Sequence, residues 1–433
     1  MSKLYIDFSD TYFSKAGTGI QRVVRNILIR KKTFKHYGFD EVTGVVQSSN
    51  SFYKLEYGKT LSLNLKNALF FLATKLRHLV DFIFKFINRG KNITLLKEIP
   101  EKNYVTMHIK IILFSRHILK YLFKIMEYID TLFLKNQKIS FSKNDILFLP
   151  DAFWSKNFST SAVRKAKKSG AKIIVLLHDI FPFTHSEFVE ERHLANFKKK
   201  FPKIIKSANG FICNSEFTLS EITNHLNKHY KDFKQLPSDF FHLGCNFDSK
   251  SVTHNVSSKK KNAYLMVGTI EPRKNHDFVL DVFEKYWSQG GTGQLCIVGK
   301  IGWDCELTMT RILKSAYYNK CLFFFNRVSD SDLGNFYSSC KSLIFASIVE
   351  GFGLPIVEAM AYNKIVFASN IPVFKEISKK YPFYFDLDNS DSLLELIKKL
   401  EAGQLNLQRK KPALISWNDS INQLALKISK LPV

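Results

Sequence analysis

Residues 342–360 read SLIFASIVEGFGLPIVEAM. An apolar, strand-like run, SLIFAS, passes directly into Glu350-Gly351-Phe352-Gly353-Leu354-Pro355, and the apolar spacing then becomes helical. Pro355 suits the first turn of a helix, where its missing N–H removes no bond. Gly351 and Gly353 let backbone approach a ligand closely. Strand, glycine turn and helix in that order form the unit of an open α/β sheet, whose ligands bind beyond the carboxyl ends of the strands. Glu350 in the loop and Glu358 in the first helical turn have seven residues between them, a spacing that lets them hold separate hydroxyl groups of one ligand. The other use of Glu358 at that place is to complement the helix dipole.

The same rhythm extends outward. Apolar runs at 173–177, 210–213, 264–267, 295–298, 322–325, 343–346 and 365–368 alternate with helical patterns, which predicts parallel sheets flanked by helices. The polar stretch DSKSVTHNVSSKKKN, 248–262, interrupts the rhythm and reads as a linker between two α/β domains. A length of 433 residues favours two or three domains, and 45% hydrophobic residues exclude disorder as the main state. The N-terminal MSKLYIDFSD reaches Asp7 quickly and reads as a strand rather than a signal peptide. No stretch has the ~18 uninterrupted apolar residues of a membrane span. The six cysteines form no C-x-x-C pair, and Cys213 and Cys296 sit in apolar runs, so free thiols are expected rather than zinc or disulfides.

Lys and Arg number 64 against 38 Asp and Glu, a net charge of +26, which points to an anionic partner: nucleic acid, a membrane surface or a phosphorylated substrate. Residues 60–143 carry fifteen Lys or Arg and five Asp or Glu, with Leu, Ile and Phe between them at helical spacing. This segment is either a helical insertion packed on its own domain or a basic, apolar surface for anionic headgroups. Nucleic-acid binding lacks support elsewhere, since the chain has no RNP-like aromatic pattern, zinc spacing or basic region leading into heptads.

Three further motifs carry chemistry. Gly268-Thr269-Ile270-Glu271-Pro272-Arg273-Lys274-Asn275 follows the strand AYLMV and sets two adjacent cations at its end. Arg grips phosphate oxygens in pairs and Lys adds a point charge. Gly17-Thr18-Gly19-Ile20-Gln21-Arg22 precedes a helix over 21–30, whose N-terminal N–H groups suit phosphate. His178-Asp179 closes the strand 173–177, where the imidazole is either structural or bonded to a sugar hydroxyl. The triplets Asp330-Ser331-Asp332 and Asp386-Leu387-Asp388 precede helical patterns and read as helix caps rather than metal ligands.

Taken together, VGTIEPRKN (267–275), EGFGLPIVEAM (350–360), TGIQRVVRNI (18–27), LPDAFW (149–154), HDIFPFTH (178–185) and CNSEF (213–217) resemble the retaining, nucleotide-sugar-dependent glycosyltransferases of family four. The set is similar to the mannosyltransferase-like branch that builds bacterial surface polysaccharides. The resemblance implies a GT-B fold, with two Rossmann-like domains facing a cleft. Residues 1–250 would form the acceptor side with the insertion at 60–143, residues 251–415 would bind nucleotide sugar, and 416–433 would return to the first domain. It implies catalytic roles for Glu350, Arg273, Lys274 and His178. Glu350 and His178 would face the donor sugar, and the two cations the departing diphosphate. Its substrate-binding set is Glu358 on the ribose hydroxyls, Gly19 on the diphosphate, and Thr18, Gly268, Phe352, Gly353 and Leu354. No metal and no cofactor are expected beyond the donor itself, GDP-mannose by preference, with UDP-hexose and dTDP-rhamnose as alternatives. The acceptor would be a lipid-linked glycan, at the cytoplasmic face of the membrane. A basic nucleic-acid-binding protein and an inactive membrane scaffold are the readings of another class.

The basic segment yields a test. Each Lys or Arg near an anionic leaflet contributes about 1 kcal/mol, an attraction that salt screens. The protein is expected to sediment with phosphatidylglycerol vesicles and much less with neutral vesicles or at high salt. Replacing Lys75, Arg77, Lys85, Lys120 and Lys124 with Gln should weaken sedimentation and spare nucleotide binding. Equal sedimentation with anionic and neutral vesicles would leave packing as the segment's role.

Overall fold

The computed structural model describes residues 2–14, 19–48, 50–58, 137–156, 158–230, 235–246 and 263–432. The expected linker and nearly all of the basic segment lie outside these residues, as do Gly17 and Thr18. The chain divides into two compact units, residues 1–47 with 140–433, and residues 48–139. Each is described by itself.

The larger unit holds two parallel sheets. The first is built from β1 (Lys3–Asp7), β2 (Glu41–Ser48), β4 (Ile146–Leu149), β5 (Lys172–Leu177), β6 (Gly210–Cys213) and β7 (Ser238–Phe240). In space these run β2-β1-β4-β5-β6-β7, every pair parallel. The strand β3 (Ser51–Lys54) belongs to the smaller unit, where Tyr53 forms an antiparallel bridge with Lys138.

The second sheet contains β8 (Ala263–Val267), β9 (Gln294–Gly299), β10 (Leu322–Asn326), β11 (Ser342–Phe345), β12 (Ile365–Ser369) and β13 (Phe383–Phe385), in the order β10-β9-β8-β11-β12-β13 and all parallel. Strands covered by helices on both faces need apolar side chains on both, which is why they appear in the sequence as unbroken apolar runs. Leu343, Ile344 and Phe345 of β11 are all buried. On one side, Tyr264, Leu295, Ile297 and Ile344 pack with Phe283 and Trp287 of the helix His276–Ser288 and with Leu393 and Ile397 of the helix Ser390–Glu401.

The order of the second sheet reverses between β8 and β11. Strands β8, β9 and β10 step away to one side, and β11, β12 and β13 to the other. Crossover helices diverge at such a switch point and leave a crevice at the carboxyl ends of the two strands. The Arg273–Lys274 loop follows β8 and the Glu350–Gly353 loop follows β11, so neighbouring strands deliver both motifs to one crevice.

The last helix, Trp417–Lys430, packs against the first sheet's half of the unit. It starts with a capping box between Ser416 and Asp419. Lys427 pairs with Asp239 at 2.6 Å, and the Ser420 hydroxyl donates to the His242 carbonyl at 2.7 Å.

Two local expectations are corrected. Glu358 is the fifth residue of the helix Leu354–Ala361 and lies in its second turn, because the helix starts directly after Gly353. The acidic triplets sit at helix starts, but neither supplies the capping side chain. Ser329 caps Asp330–Ser339, accepting from the Asp332 N–H at 3.1 Å, and Asn389 caps Ser390–Glu401, accepting from the Asp391 N–H at 3.0 Å. Each cap stands just outside its helix and reaches back to the first turn. All six cysteines are free, and all but the half-buried Cys321 are buried. Among the described residues no helix is long and apolar enough to cross a membrane.

Candidate active site

The loops after β8 and β11 are tied together through backbone and side chains. The Ile348 N–H donates to the Arg273 carbonyl at 2.9 Å, and Arg273 Nη1 returns a bond to the Val349 carbonyl at 3.3 Å. Arg273 lies between two carboxylates, with Glu271 and Glu350 each at 2.8 Å. The Lys274 ammonium contacts the same Glu350 oxygen and stands 4.9 Å from the Phe345 ring centroid. Gly268 lies beneath Lys274, so a methyl group there would touch its side chain at 3.4 Å.

Burial alone would protonate Glu350, but Arg273 and Lys274 overcome it and hold the carboxyl at about 2. Burial also works against the charge of Arg273, which Glu350 and Glu271 more than restore. Lys274 is drawn down by burial and by Arg273, with Glu350 opposing. The cluster is therefore a preformed, nearly neutral set of charges whose two cations are held on Glu350. Fixed charges of this kind stabilise an anion that grows during a reaction with little reorganisation.

Glu358 lies in a second cluster. Its carboxylate accepts from the Tyr337 hydroxyl at 2.9 Å and contacts the Arg22 guanidinium. Arg22 belongs to the helix Gly19–Ile29 of the first sheet's half, which gives Glu358 a partner across the crevice. Gly19 is the first residue of that helix.

The first sheet's half closes on the glycine loop at several points. A methyl group at Gly351 would fall 2.0 Å from the His178 carbonyl oxygen and 3.2 Å from Asp179 Cβ. The Ser215 and Thr218 hydroxyls both donate to the Gly351 carbonyl, at 2.8 and 3.0 Å. Glu376 accepts the Glu216 and Phe217 N–H groups and faces His242 Nε2 at 2.6 Å. His178 is buried, and burial lowers its pKa to about 4 despite a bond from Nε2 to the Pro150 carbonyl at 2.8 Å. A carbonyl only accepts, so Nε2 carries the proton and Nδ1 is left to accept from a hydroxyl group. Burial pushes Asp179 up to about 7, opposed by Arg273 and aided by Glu350 and Glu271. Phe352 is buried with its ring 6.0 Å from that of His242, and Gly353 turns into the helix with φ +112° ahead of the half-buried Leu354.

A sequence model of the family described as "Glycosyl transferases group 1" matches residues 249–413. Over these residues the chain is similar to that family. The matched stretch carries both loops of the crevice. Among curated relatives, the chain is 29% identical over 278 residues to the serotype-specific mannosyltransferase WbdA of Escherichia coli, a match covering 61% of this chain and 34% of that protein. It is 33% identical over 144 residues to the O-antigen chain mannosyltransferase RfbU of Salmonella typhimurium, covering 33% of this chain and 39% of the relative. The chain thus spans about a third of the length of the first relatives it matches. Among solved structures, Anabaena Alr3699/HepE in complex with UDP and glucose superposes over 99% of this chain and 94% of its own, with a TM-score of 0.51 and 14% identity. That likeness, with the two parallel sheets, gives the fold as GT-B.

Of the residues singled out in the sequence, Arg273, Lys274, Glu350 and Gly268 form one cluster, and Glu358 forms another with Arg22 and Tyr337. Glu271, Tyr337, His242 and Glu376 were not singled out. Glu271 lies inside the quoted motif beside Arg273, so charge spacing was its available signal. The other three act through contacts between segments distant in the chain.

The Gly351 contact yields a prediction. A Cβ 2.0 Å from a backbone oxygen cannot be absorbed by a side-chain rotation. Overpacking of this kind typically costs about 1–3 kcal/mol. Gly351→Ala should lower the thermal midpoint by several degrees and reduce nucleotide binding. An unchanged midpoint in a calorimetric scan would contradict this close approach of the two halves.

Proposed function

We propose that the chain is a retaining, metal-independent glycosyltransferase that moves a hexose from a nucleotide sugar to a glycan acceptor. The preferred donor is GDP-mannose, with UDP-hexose or dTDP-rhamnose as the alternatives. The preferred acceptor is a growing lipid-linked polysaccharide of a bacterial surface. The observation that carries this reading is the largely buried cluster of Arg273, Lys274 and Glu350 at the switch point of the sheet whose residues match the group 1 family. The names of the mannosyltransferase relatives support mannose, and the basic segment 60–143 supports an acceptor at an anionic membrane surface.

In the proposed reaction the bond from the sugar's anomeric carbon to the diphosphate oxygen breaks as an acceptor hydroxyl oxygen bonds to that carbon, and the hydroxyl proton passes to the departing diphosphate oxygen. Negative charge grows on the departing diphosphate. Arg273 and Lys274 attract that charge more strongly in the transition state than in the bound donor, which raises the rate rather than only the affinity. Glu350 holds the cations in place and contacts the donor sugar. Glu358 binds the ribose hydroxyls, and His178 Nδ1 accepts from a sugar hydroxyl.

The deciding experiment is donor hydrolysis and transfer across GDP-mannose, UDP-glucose and dTDP-rhamnose, each assayed with and without excess EDTA. One donor should be turned over at the same rate in both conditions. Loss of turnover on chelation, restored by magnesium or manganese, would overturn the metal-free assignment, and inertness toward every nucleotide sugar would overturn the enzyme reading. With the active donor, Arg273→Ala and Lys274→Ala should each lower kcat by about 10²–10³, as removal of one charge stabiliser does. Near wild-type kcat in both would remove the diphosphate role.

A further inference from the structure

Both oxygens of the Glu358 carboxylate are engaged in this structure. Arg22 Nη1 contacts Oε1 and the Tyr337 hydroxyl donates to Oε2. The two partners differ in kind. Tyr337 belongs to the same domain, is buried to 2% exposure and stacks on Tyr362 with ring centroids 5.7 Å apart at 16°. Arg22 arrives from the other half on an unbranched arm, and a quarter of its side chain is exposed. One further carboxylate acts on it: Asp330, exposed in the first turn of the helix Asp330–Ser339, helps hold its charge.

We propose that Arg22 is a donor-responsive latch that occupies Glu358 in the empty protein and is displaced by the ribose hydroxyls of the nucleotide. The proposal rests on Glu358 as the ribose-binding carboxylate. A carboxylate has about four lone-pair positions on two oxygens, and a ribose diol brings two O–H donors to it. With the rigid Tyr337 on one oxygen and a guanidinium on the other, about one position stays open on each oxygen, and the guanidinium partly neutralises the acceptor that the diol must reach. Of the two partners, Arg22 has the longer, more exposed arm and a second carboxylate, Asp330, within its electrostatic reach. Nucleotide binding then exchanges an ion pair between the halves for a diol–carboxylate pair within one domain, and loosens one tie across the crevice. Affinity for nucleotide is reduced by the fraction of molecules whose Glu358 is engaged.

The test is calorimetric binding of GDP and UDP, and of their 2′-deoxy counterparts, to wild type, Arg22→Gln, Arg22→Lys, Glu358→Gln and the Arg22→Gln/Glu358→Gln double variant. Thermal scans report the fold of each. Removal of a competing partner is expected to tighten ribonucleotide binding about 3–30-fold in Arg22→Gln, with a smaller gain in Arg22→Lys, which keeps the charge without the fork. Glu358→Gln should weaken binding, and the double variant should bind like Glu358→Gln, since the latch has no effect without its carboxylate. The gain should shrink for 2′-deoxynucleotides, which lack one donor. Arg22→Gln should also have a lower thermal midpoint when empty and a larger rise with nucleotide than wild type. Weaker binding in Arg22→Gln would make Arg22 a nucleotide ligand, and unchanged binding would remove its influence; either overturns the latch while leaving the ribose role of Glu358 standing. Equal gains with ribo- and deoxynucleotides overturn the diol exchange. Unchanged binding in Glu358→Gln overturns the ribose role itself. If Arg22→Gln does not fold, Arg22→Lys against wild type decides by the same signs.

Discussion

A buried carboxylate stays charged only when cations reach it, and the crevice of this protein is arranged around that constraint. Glu350 sits in a tight glycine loop, mostly shielded from water, and remains ionised because Arg273 and Lys274 meet it from the neighbouring loop. Removing one member of such a cluster leaves an uncompensated charge, which is far costlier than the cluster is favourable. The three residues therefore act as a unit. Glu271 extends it by holding the other side of Arg273.

That unit depends on topology more than on local sequence. Strands β8 and β11 are neighbours in space, while their loops are separated by 76 positions between Lys274 and Glu350. The reversal of strand order opens the crevice, and the parallel register of the two strands brings both loops to the same edge. The glycine loop then accepts a second set of contacts from the first sheet's half, where Ser215 and Thr218 meet the Gly351 carbonyl.

Much of this was legible in the sequence, for identifiable reasons. Apolar runs mark doubly covered strands, and Pro355 marks a helix start that the structure places at Leu354. The pairing of Arg273 and Lys274 with Glu350 was not legible, because each motif reads separately as a phosphate grip and a sugar contact. Arg22 was visible only as part of a glycine-led helix start. Its partner lies 336 positions away, and no local spacing signals a contact of that range. Glu358 lies in the second turn rather than the first, because the helix begins at Leu354, directly after Gly353 and one residue before Pro355. The capping residues were missed in favour of acidic neighbours because Asp, Ser and Asn share the same preference for that position.

The contact at Glu376 has a consequence for how such a chain can be recombined. The helix Glu216–His229 begins in one half, yet two of its opening N–H groups, those of Glu216 and Phe217, are satisfied by a carboxylate from the other half, which also takes the His242 imidazole. Each half is thus chemically unfinished at this edge. A chimera that grafts a foreign second-sheet half onto this first-sheet half leaves those two backbone donors to water unless the graft brings an acidic residue at the place of Glu376. A graft with an acidic residue at that place keeps the stitch between the halves, and one without it loses both the helix contact and the His242 contact.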